Sequence, residues 1–267
     1  MIRTIITGSA GRMGKALVAA IAANPEFRLA GATEYPASPF IGQDAGTVAG
    51  VAALGVPVSA ALTPEMLANA DAIIDFSTGN VLENARAAAK VGLSIVIGTT
   101  ALTDADKAAL RELSAHGARI VHTFNYSVGV NLLFFLSGKT ASLLADDFDM
   151  EIIEAHHNQK KDAPSGTAVR LAEVLCEAAN RTSDDLVYGR QGVVGARTRR
   201  EIGVHAVRGG DIVGDHTVLF AGDGERIELT HRASSRMTFA KGALRAAKWL
   251  GSASAGYYDM QDVLGLK

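Results

Sequence analysis

Short, unbroken apolar runs alternate with alanine-rich amphipathic stretches through the first half of the chain. Residues 2–7, 27–33, 72–77, 93–97 and 119–122 read as strands, each a β-branched or apolar run bounded by glycine or polar residues. Between them, residues 15–23, 81–91 and 104–117 carry apolar positions at helical spacing. Strands that are apolar at successive positions, rather than at every second one, belong to a parallel sheet covered on both faces. Repetition of the β-α unit then implies right-handed crossovers. A glycine-rich surface stretch (37–53), a short strand (56–59) and a short helix capped by Thr63-Pro64-Glu65 interrupt the rhythm without suggesting chemistry.

Beyond residue 127 the rhythm changes. A helix over 129–144 precedes four β-like runs at 150–155, 201–207, 216–221 and 225–231. Gly209-Gly210 and Gly222-Asp223-Gly224 separate the last three, which predicts a mainly antiparallel sheet with helices on one face. Its other face needs cover, and copies of the same chain supply it most simply. Residues 182–200 are polar and arginine-bearing and read as a segment that moves or folds over the site; a final amphipathic helix runs over 235–251. The fold class is therefore α/β, a parallel sheet domain joined to an α+β domain.

Composition narrows the function. The 267 residues suffice for two domains, and a net charge of −2 supplies no field to attract nucleic acid or a membrane surface, so the expected partner is a small molecule. The single cysteine, Cys176, lies in an apolar helical pattern and reads as a buried thiol, with no disulfide within the chain. Neither a signal peptide nor a membrane span is visible, and a cytoplasmic protein is expected.

The first strand runs into Gly8-Ser9-Ala10-Gly11-Arg12-Met13-Gly14 and then a helix. Strand, glycine turn and helix together let backbone approach a pyrophosphate closely, as in Rossmann-type dinucleotide domains, although the spacing departs from the commoner G-x-G-x-x-G. The second strand ends in Glu34, twenty residues after Gly14, where such a fold places the acid that bonds the adenosine ribose hydroxyls. A carboxylate there repels the 2′-phosphate of NADPH, and Arg12 in the turn offsets it, so NADH and NADPH are both expected with some preference for NADH.

The densest chemistry lies in 151–168, Glu-Ile-Ile-Glu-Ala-His-His-Asn-Gln-Lys-Lys-Asp-Ala-Pro-Ser-Gly-Thr-Ala. A strand over 149–155 delivers His156 and His157; Lys160 and Lys161 follow; Ser165 is placed to cap a helix running to about residue 180. Free amides at Ser165, Gly166 and Thr167 would make an anion site beside imidazole and ammonium groups, which suits acid chemistry on an anionic substrate. No second His, Cys or Asp cluster stands at ligand spacing, so no metal is expected.

The run Glu151-x-x-Glu154-x-His156-x-x-x-Lys160-x-Asp162-x-Pro164-Ser165-Gly166-Thr167-Ala168 resembles the signature of the 4-hydroxy-tetrahydrodipicolinate (dihydrodipicolinate) reductases, and the likeness extends over essentially the whole chain. The resemblance implies an NAD(P)H-dependent oxidoreductase of lysine and diaminopimelate biosynthesis. It makes Lys160 the proton donor and His156 the acid or base, while His157 and the amides of Gly166 and Thr167 hold the carboxylates of a dicarboxylate substrate. It also implies that Phe76 and Ser77 line the cofactor groove, and that Gly98, Thr99, Thr100, Thr123, Phe124, Asn125 and Tyr126 are cofactor contacts. The implied division is a dinucleotide domain over 1–126 and 240–267 and a substrate and oligomerisation domain over 127–239, assembled as a homotetramer through the second sheet. Where members of the family often carry arginine after the ribose-binding acid, this chain has Tyr35, which weighs against strong NADPH use. Two rival readings stand beside it. A redox-sensing regulator without turnover has no need of Lys160 or His156, and an amino-acid semialdehyde or amino-acid dehydrogenase working through a thioester needs a loop cysteine, which Cys176 is not.

Overall fold

The computed structural model describes residues 1–99 and 102–267. Along the chain lie β1 (Ile2–Thr7), α1 (Arg12–Ala22), β2 (Phe27–Thr33), α2 (Ala45–Ala49), β3 (Val58–Ser59), α3 (Pro64–Ala68), β4 (Ala72–Asp75), α4 (Val81–Lys90), β5 (Ser94–Ile97), α5 (Asp104–Ala115) and β6 (Arg119–His122). They are followed by α6 (Val128–Leu144), β7 (Asp149–His156), α7 (Gly166–Ala178), β8 (Leu186–Tyr188), β9 (Ile202–Arg208), β10 (Gly214–Ala221) and β11 (Arg226–Ala233). The chain ends with α8 (Met237–Leu250), β12 (Gly256–Tyr258) and α9 (Met260–Leu264). Met1–Val128 with Arg236–Lys267 forms one compact unit, and Gly129–Ser235 another.

The first unit is built on a seven-stranded sheet in the order β12-β6-β5-β4-β1-β2-β3, parallel in every pairing. Successive residues of its central strands serve opposite cores. Ile6, Ile74 and Val96 pack on one face with Leu17, Val18 and Leu244, while Ile5, Ile73 and Ile95 pack on the other with Leu110. That double burial is why these strands are apolar at every position. Strand β12 was not legible as a strand: a Gly-Tyr-Tyr run is too short to show a period, and it pairs because Asp259 caps α9 immediately after it and Tyr257 meets Ile120 across the ladder. Helix α8 crosses so close to the end of the β6 connection that a Cβ on Gly242 would sit 1.8 Å from the Tyr126 carbonyl oxygen.

In the second unit the order is β11-β10-β7-β9-β8. Antiparallel pairing holds on one side of β7, with β10 and then β11, and gives way to parallel pairing on the other, with β9 and then β8. The sheet is thus mixed. Gly209-Gly210 does not make a hairpin, because β9 and β10 flank β7 rather than each other. Helices α6 and α7 cover one face, where Val130, Leu133, Phe134, Leu171 and Leu175 pack on Met150, Ile152, Val204, Val218 and Phe220. Cys176 is buried in this core, its thiol donating to the Thr182 carbonyl at 3.4 Å, and burial raises its pKa.

Residues 182–200 are tied to β7 through Arg190 and Arg197, while Val193 and Val194 between them are exposed. Arg190 donates to both carboxylate oxygens of Glu151 (2.8 and 3.1 Å), and Arg197 donates to Glu151 (3.0 Å) and Asp149 (2.8 Å). Burial opposes the charge on Glu151, but the two arginines and His205 prevail and hold its carboxyl down at about 2. A Cβ on Gly203 would lie 1.7 Å from a Glu151 oxygen, so glycine leaves room for this carboxylate on the face away from the helices. That face also carries Ile153 and Val207, which are 39% and 49% exposed. Among the described residues no helix is long and apolar enough to cross a membrane.

Candidate active site

Two constellations, one in each unit, carry the residues singled out by the sequence. In the first unit, β1 ends at Thr7 and Gly8 turns the chain with φ +71°. Ser9 donates its amide to Thr33 O (3.0 Å) and Ala10 donates to Glu34 Oε2 (2.9 Å), so the turn is tied to the end of β2. A Cβ on Gly14 would stand 2.1 Å from Gly8 O and 2.6 Å from Ser9 backbone, so only glycine lets α1 start this close to the strand. Gly11 opens α1 without any side-chain cap, which leaves the helix's first amides their capacity for an anion. Ser9 Oγ is buried without a hydrogen-bond partner. A tight glycine turn, an uncapped helix start, an orphan hydroxyl and an acid at the next strand's end fit a dinucleotide. Arg12, beside the cradle, is exposed, as is Tyr35.

At the carboxyl ends of β4, β5 and β6 the picture is tighter. The Phe76 ring fills the place of a Gly98 side chain, 2.2 Å from the position a Cβ would take. Thr99 Oγ1 donates to Ser77 O (2.5 Å). Asp75, fully buried, accepts from Ser77 N (2.8 Å), Ser77 Oγ (2.7 Å) and Asn84 Nδ2 (2.7 Å), and so shapes this loop although the sequence alone gave it no role. Phe124 is exposed; Thr123 is buried, and Asn125 Oδ1 accepts from Ser127 N (2.8 Å). Tyr126 is buried under Phe76 with ring centroids 5.7 Å apart, and its hydroxyl donates toward Ile97 O (2.8 Å) and Val121 O (3.1 Å). Its side chain is therefore part of the floor. Thr100 lies outside the described residues.

In the second unit everything converges on Glu154, which is 0% exposed on the central strand β7. Its Oε2 accepts from His156 Nδ1 (2.6 Å) and Arg208 Nη1 (2.8 Å), and its Oε1 from Arg208 Nη2 (2.9 Å) and Ser165 N (3.0 Å). Burial pushes this carboxyl up, but Arg208, His156 and the Ser165 amide outweigh it and the pKa falls below the ordinary value. Ser165 caps α7, accepting from Ala168 N (3.2 Å), and its hydroxyl shares a hydrogen bond with His216 Nε2 (3.0 Å). Burial above all, then His156, drives the His216 pKa to about 3. The His156 and His216 rings meet edge to face at 5.2 Å. Lys160 Nζ donates to both oxygens of Asp162 (2.8 and 2.9 Å), and its charge bears on both imidazoles. Arg208 Nη2 also donates to Asp162 O (2.8 Å), while Gly209 N donates to His156 O (2.9 Å), so the loop after β7 is tied to the end of β9.

The structure thus brings His156 and Lys160 together beside the start of α7, with His157 half-buried and Gly166 exposed at the first turn. One expectation needs correcting. The Ser165 amide is not open to an anion, because the buried Glu154 carboxylate takes it, so the cradle begins at Gly166. Glu154, Arg208 and His216 were missed as site residues, although a signal existed: each shares strand parity with buried apolar neighbours, Met150 and Ile152, Ile202 and Val204, and Val218 and Phe220. A charged residue in phase with a core face marks a built polar cluster. Among the described residues no group of three or more His, Cys, Asp or Glu is placed to hold a metal ion.

Comparison with known proteins places this geometry. The family model described as dihydrodipicolinate reductase, N-terminus, matches residues 2–126, and that described as dihydrodipicolinate reductase, C-terminus, matches residues 129–264. The chain is 51% identical to the 4-hydroxy-tetrahydrodipicolinate reductase of Hahella chejuensis (strain KCTC 2396) over the whole of both chains. It is 49% identical to that of Myxococcus xanthus (strain DK1622), covering 100% of this chain and 99% of the relative. The dipicolinate-bound dihydrodipicolinate reductase from Paenisporosarcina sp. TG-14 is similar in structure, with a TM-score of 0.76, 27% identity and 97% of each chain covered.

Proposed function

Because the chain belongs to the dihydrodipicolinate reductase family, we propose a division of labour among its own residues in the NAD(P)H-dependent reduction of 4-hydroxy-tetrahydrodipicolinate to tetrahydrodipicolinate. The observation that carries it is the cluster at the end of β7, where an imidazole and a helix start share one buried carboxylate, Glu154, and the Lys160 ammonium, held by Asp162, bears on the imidazole. A reduced nicotinamide, when bound, supplies the hydride. Gly8, Gly11 and Gly14 let a pyrophosphate approach the uncapped start of α1, where the amides of Arg12, Met13 and Gly14 hold it beside the Ser9 hydroxyl; Glu34 takes the ribose, and Phe76, Gly98, Thr99, Thr123, Phe124 and Asn125 form the ring end, with Thr100 assigned there by resemblance.

Departure of the substrate hydroxyl as water takes a proton onto oxygen and releases one from the adjacent ring carbon, and reduction of the resulting conjugated cyclic imine leaves an electron-rich enamine that must take up one proton. Lys160 Nζ donates, and His156 exchanges a proton at Nε2, the ring nitrogen not bonded to Glu154. Two carboxylates need two anion sites, provided by His157 and by the amides of Gly166 and Thr167 at the start of α7. Glu34 disfavours a 2′-phosphate while exposed Arg12 compensates, so both NADH and NADPH serve, with NADH preferred. The test is loss of absorbance at the reduced nicotinamide band with the product of dihydrodipicolinate synthase as substrate, run with each cofactor. Turnover with both and a lower KM for NADH is expected; flat traces with both refute the activity, and a lower KM for NADPH refutes the preference.

We further propose that the sheet face bearing Ile153 and Val207 is covered by other copies of the chain in a homotetramer. Sedimentation equilibrium should return four chain masses, and Val207→Glu, placing charge on that face, should lower the assembled mass; a monomeric wild type would end this reading.

A further inference from the structure

We propose that Glu154, paired with Arg208, is the positioning residue of this site: it holds His156 as the Nδ1–H tautomer, leaves Nε2 as the proton-exchanging atom, and locks the ring to the first turn of α7. This rests on the reading of His156 as an acid–base group. The argument begins with hydrogen-bond capacity. An ionised carboxylate only accepts, so the proton in the 2.6 Å contact lies on His156 Nδ1. A neutral imidazole protonated there keeps its lone pair on Nε2. The same carboxylate accepts the Ser165 amide, so one buried group sets both the imidazole and the helix start that opens the anion cradle. With no solvent exposure, Glu154 acts only through the groups it holds.

Arg208 supplies the second half of the device. Its two guanidinium nitrogens take both carboxylate oxygens, at 2.8 and 2.9 Å, and neutralise a charge that would otherwise keep the neighbouring imidazole protonated. The charged and titratable groups bearing on His156 are Glu154 on its own strand, Arg208 from β9, Lys160 from the following loop with its partner Asp162, and His216 from β10. Burial, the largest influence, lowers the His156 pKa; the Glu154 hydrogen bond and charge raise it, and the charges of Lys160 and Arg208 lower it further, so the net direction is down. The ring is thus neutral near pH 7, and Lys160 carries the proton to be given.

The primary test is the side-chain nitrogen NMR spectrum of ¹⁵N-histidine-labelled full-length protein at pH 7.5, with His156→Gln to assign the resonance. Protonated Nδ1 and bare Nε2 are expected; protonated Nε2, or imidazolium, overturns the proposal. Glu154→Gln should lower kcat about 10- to 100-fold, the size typical of losing an orienting partner behind a functional histidine, with unchanged affinity for reduced nicotinamide. Arg208→Gln should shift the acid limb of the kcat–pH profile upward, and Glu154→Gln/Arg208→Gln should bring it back. A pair that merely stabilises the fold would change the folded fraction and leave both the limb and the tautomer where they were. Should the variants fail to fold, the wild-type spectrum decides alone. An inactive wild type would refute the reductase reading and leave the tautomer result standing, whereas inactive His156→Gln beside fully active Glu154→Gln would refute this inference only.

Discussion

Lys160→Ala lowers kcat by about 10²- to 10⁴-fold, the usual worth of a positioned general acid, with little change in affinity for NADH or NADPH. The reasoning separates chemistry from stability. Lys160 is 18% exposed and its partner Asp162 is 63% exposed, so the ion pair contributes no more than about 0–1 kcal/mol to the fold. Cofactor affinity is retained because the glycine cradle belongs to the other compact unit. Lys161→Ala is the matched control: the residue is exposed and should leave kcat close to wild type. Steady-state kinetics with cofactor titration by fluorescence decides, and a folded Lys160→Ala enzyme within about threefold of wild-type kcat, a difference under about 1 kcal/mol, would remove Lys160 from the chemistry.

Acid weakens the second unit well before its carboxylates titrate. His216 is 3% exposed and its folded pKa is about 3, far below the ordinary value of 6.5. A depressed pKa means that the unfolded chain binds the proton first, so stability present above pH 6.5 is lost as the pH falls toward 3. The slope is about 1.4 kcal/mol per pH unit for one such histidine, or about 2–3 kcal/mol by pH 4.5. Glu154 titrates below its ordinary 4.5, which leaves the window from 6.5 to 4.5 to histidines. His156 and His231, in the same unit, are depressed too and add to the loss. Urea unfolding of wild type and His216→Gln across that window should show a shallower pH dependence in the variant by about one proton. Equal slopes would mean that His216 is not held neutral by burial.

Most of the scaffold was readable residue by residue. Strands β1 and β2 fall where continuous apolar runs end at glycine and glutamate, and Ser165 caps α7 as its residue type demands. The region was less legible where pairing partners are distant. Nothing local distinguishes β9 as a parallel neighbour of β7, since a strand's period says which face is buried but not which strand lies beside it. The polar hub was hidden for the same reason: Glu154, Arg208, Ser165 and His216 are separated by up to 62 positions and meet only because β9 and β10 flank β7.

Local backbone chemistry in the sequence determined the glycine turn and the helix starts and placed imidazole and ammonium groups just before the start of α7, because φ preferences, caps and ionisable side chains are properties of a few neighbouring residues. Tertiary structure alone decided that the Ser165 amide is occupied, that Arg208 neutralises Glu154, that His156 Nδ1 meets Glu154, and that β12 completes the parallel sheet. Each of those depends on which atoms come within hydrogen-bonding distance across strands, and only the packed chain brings them there.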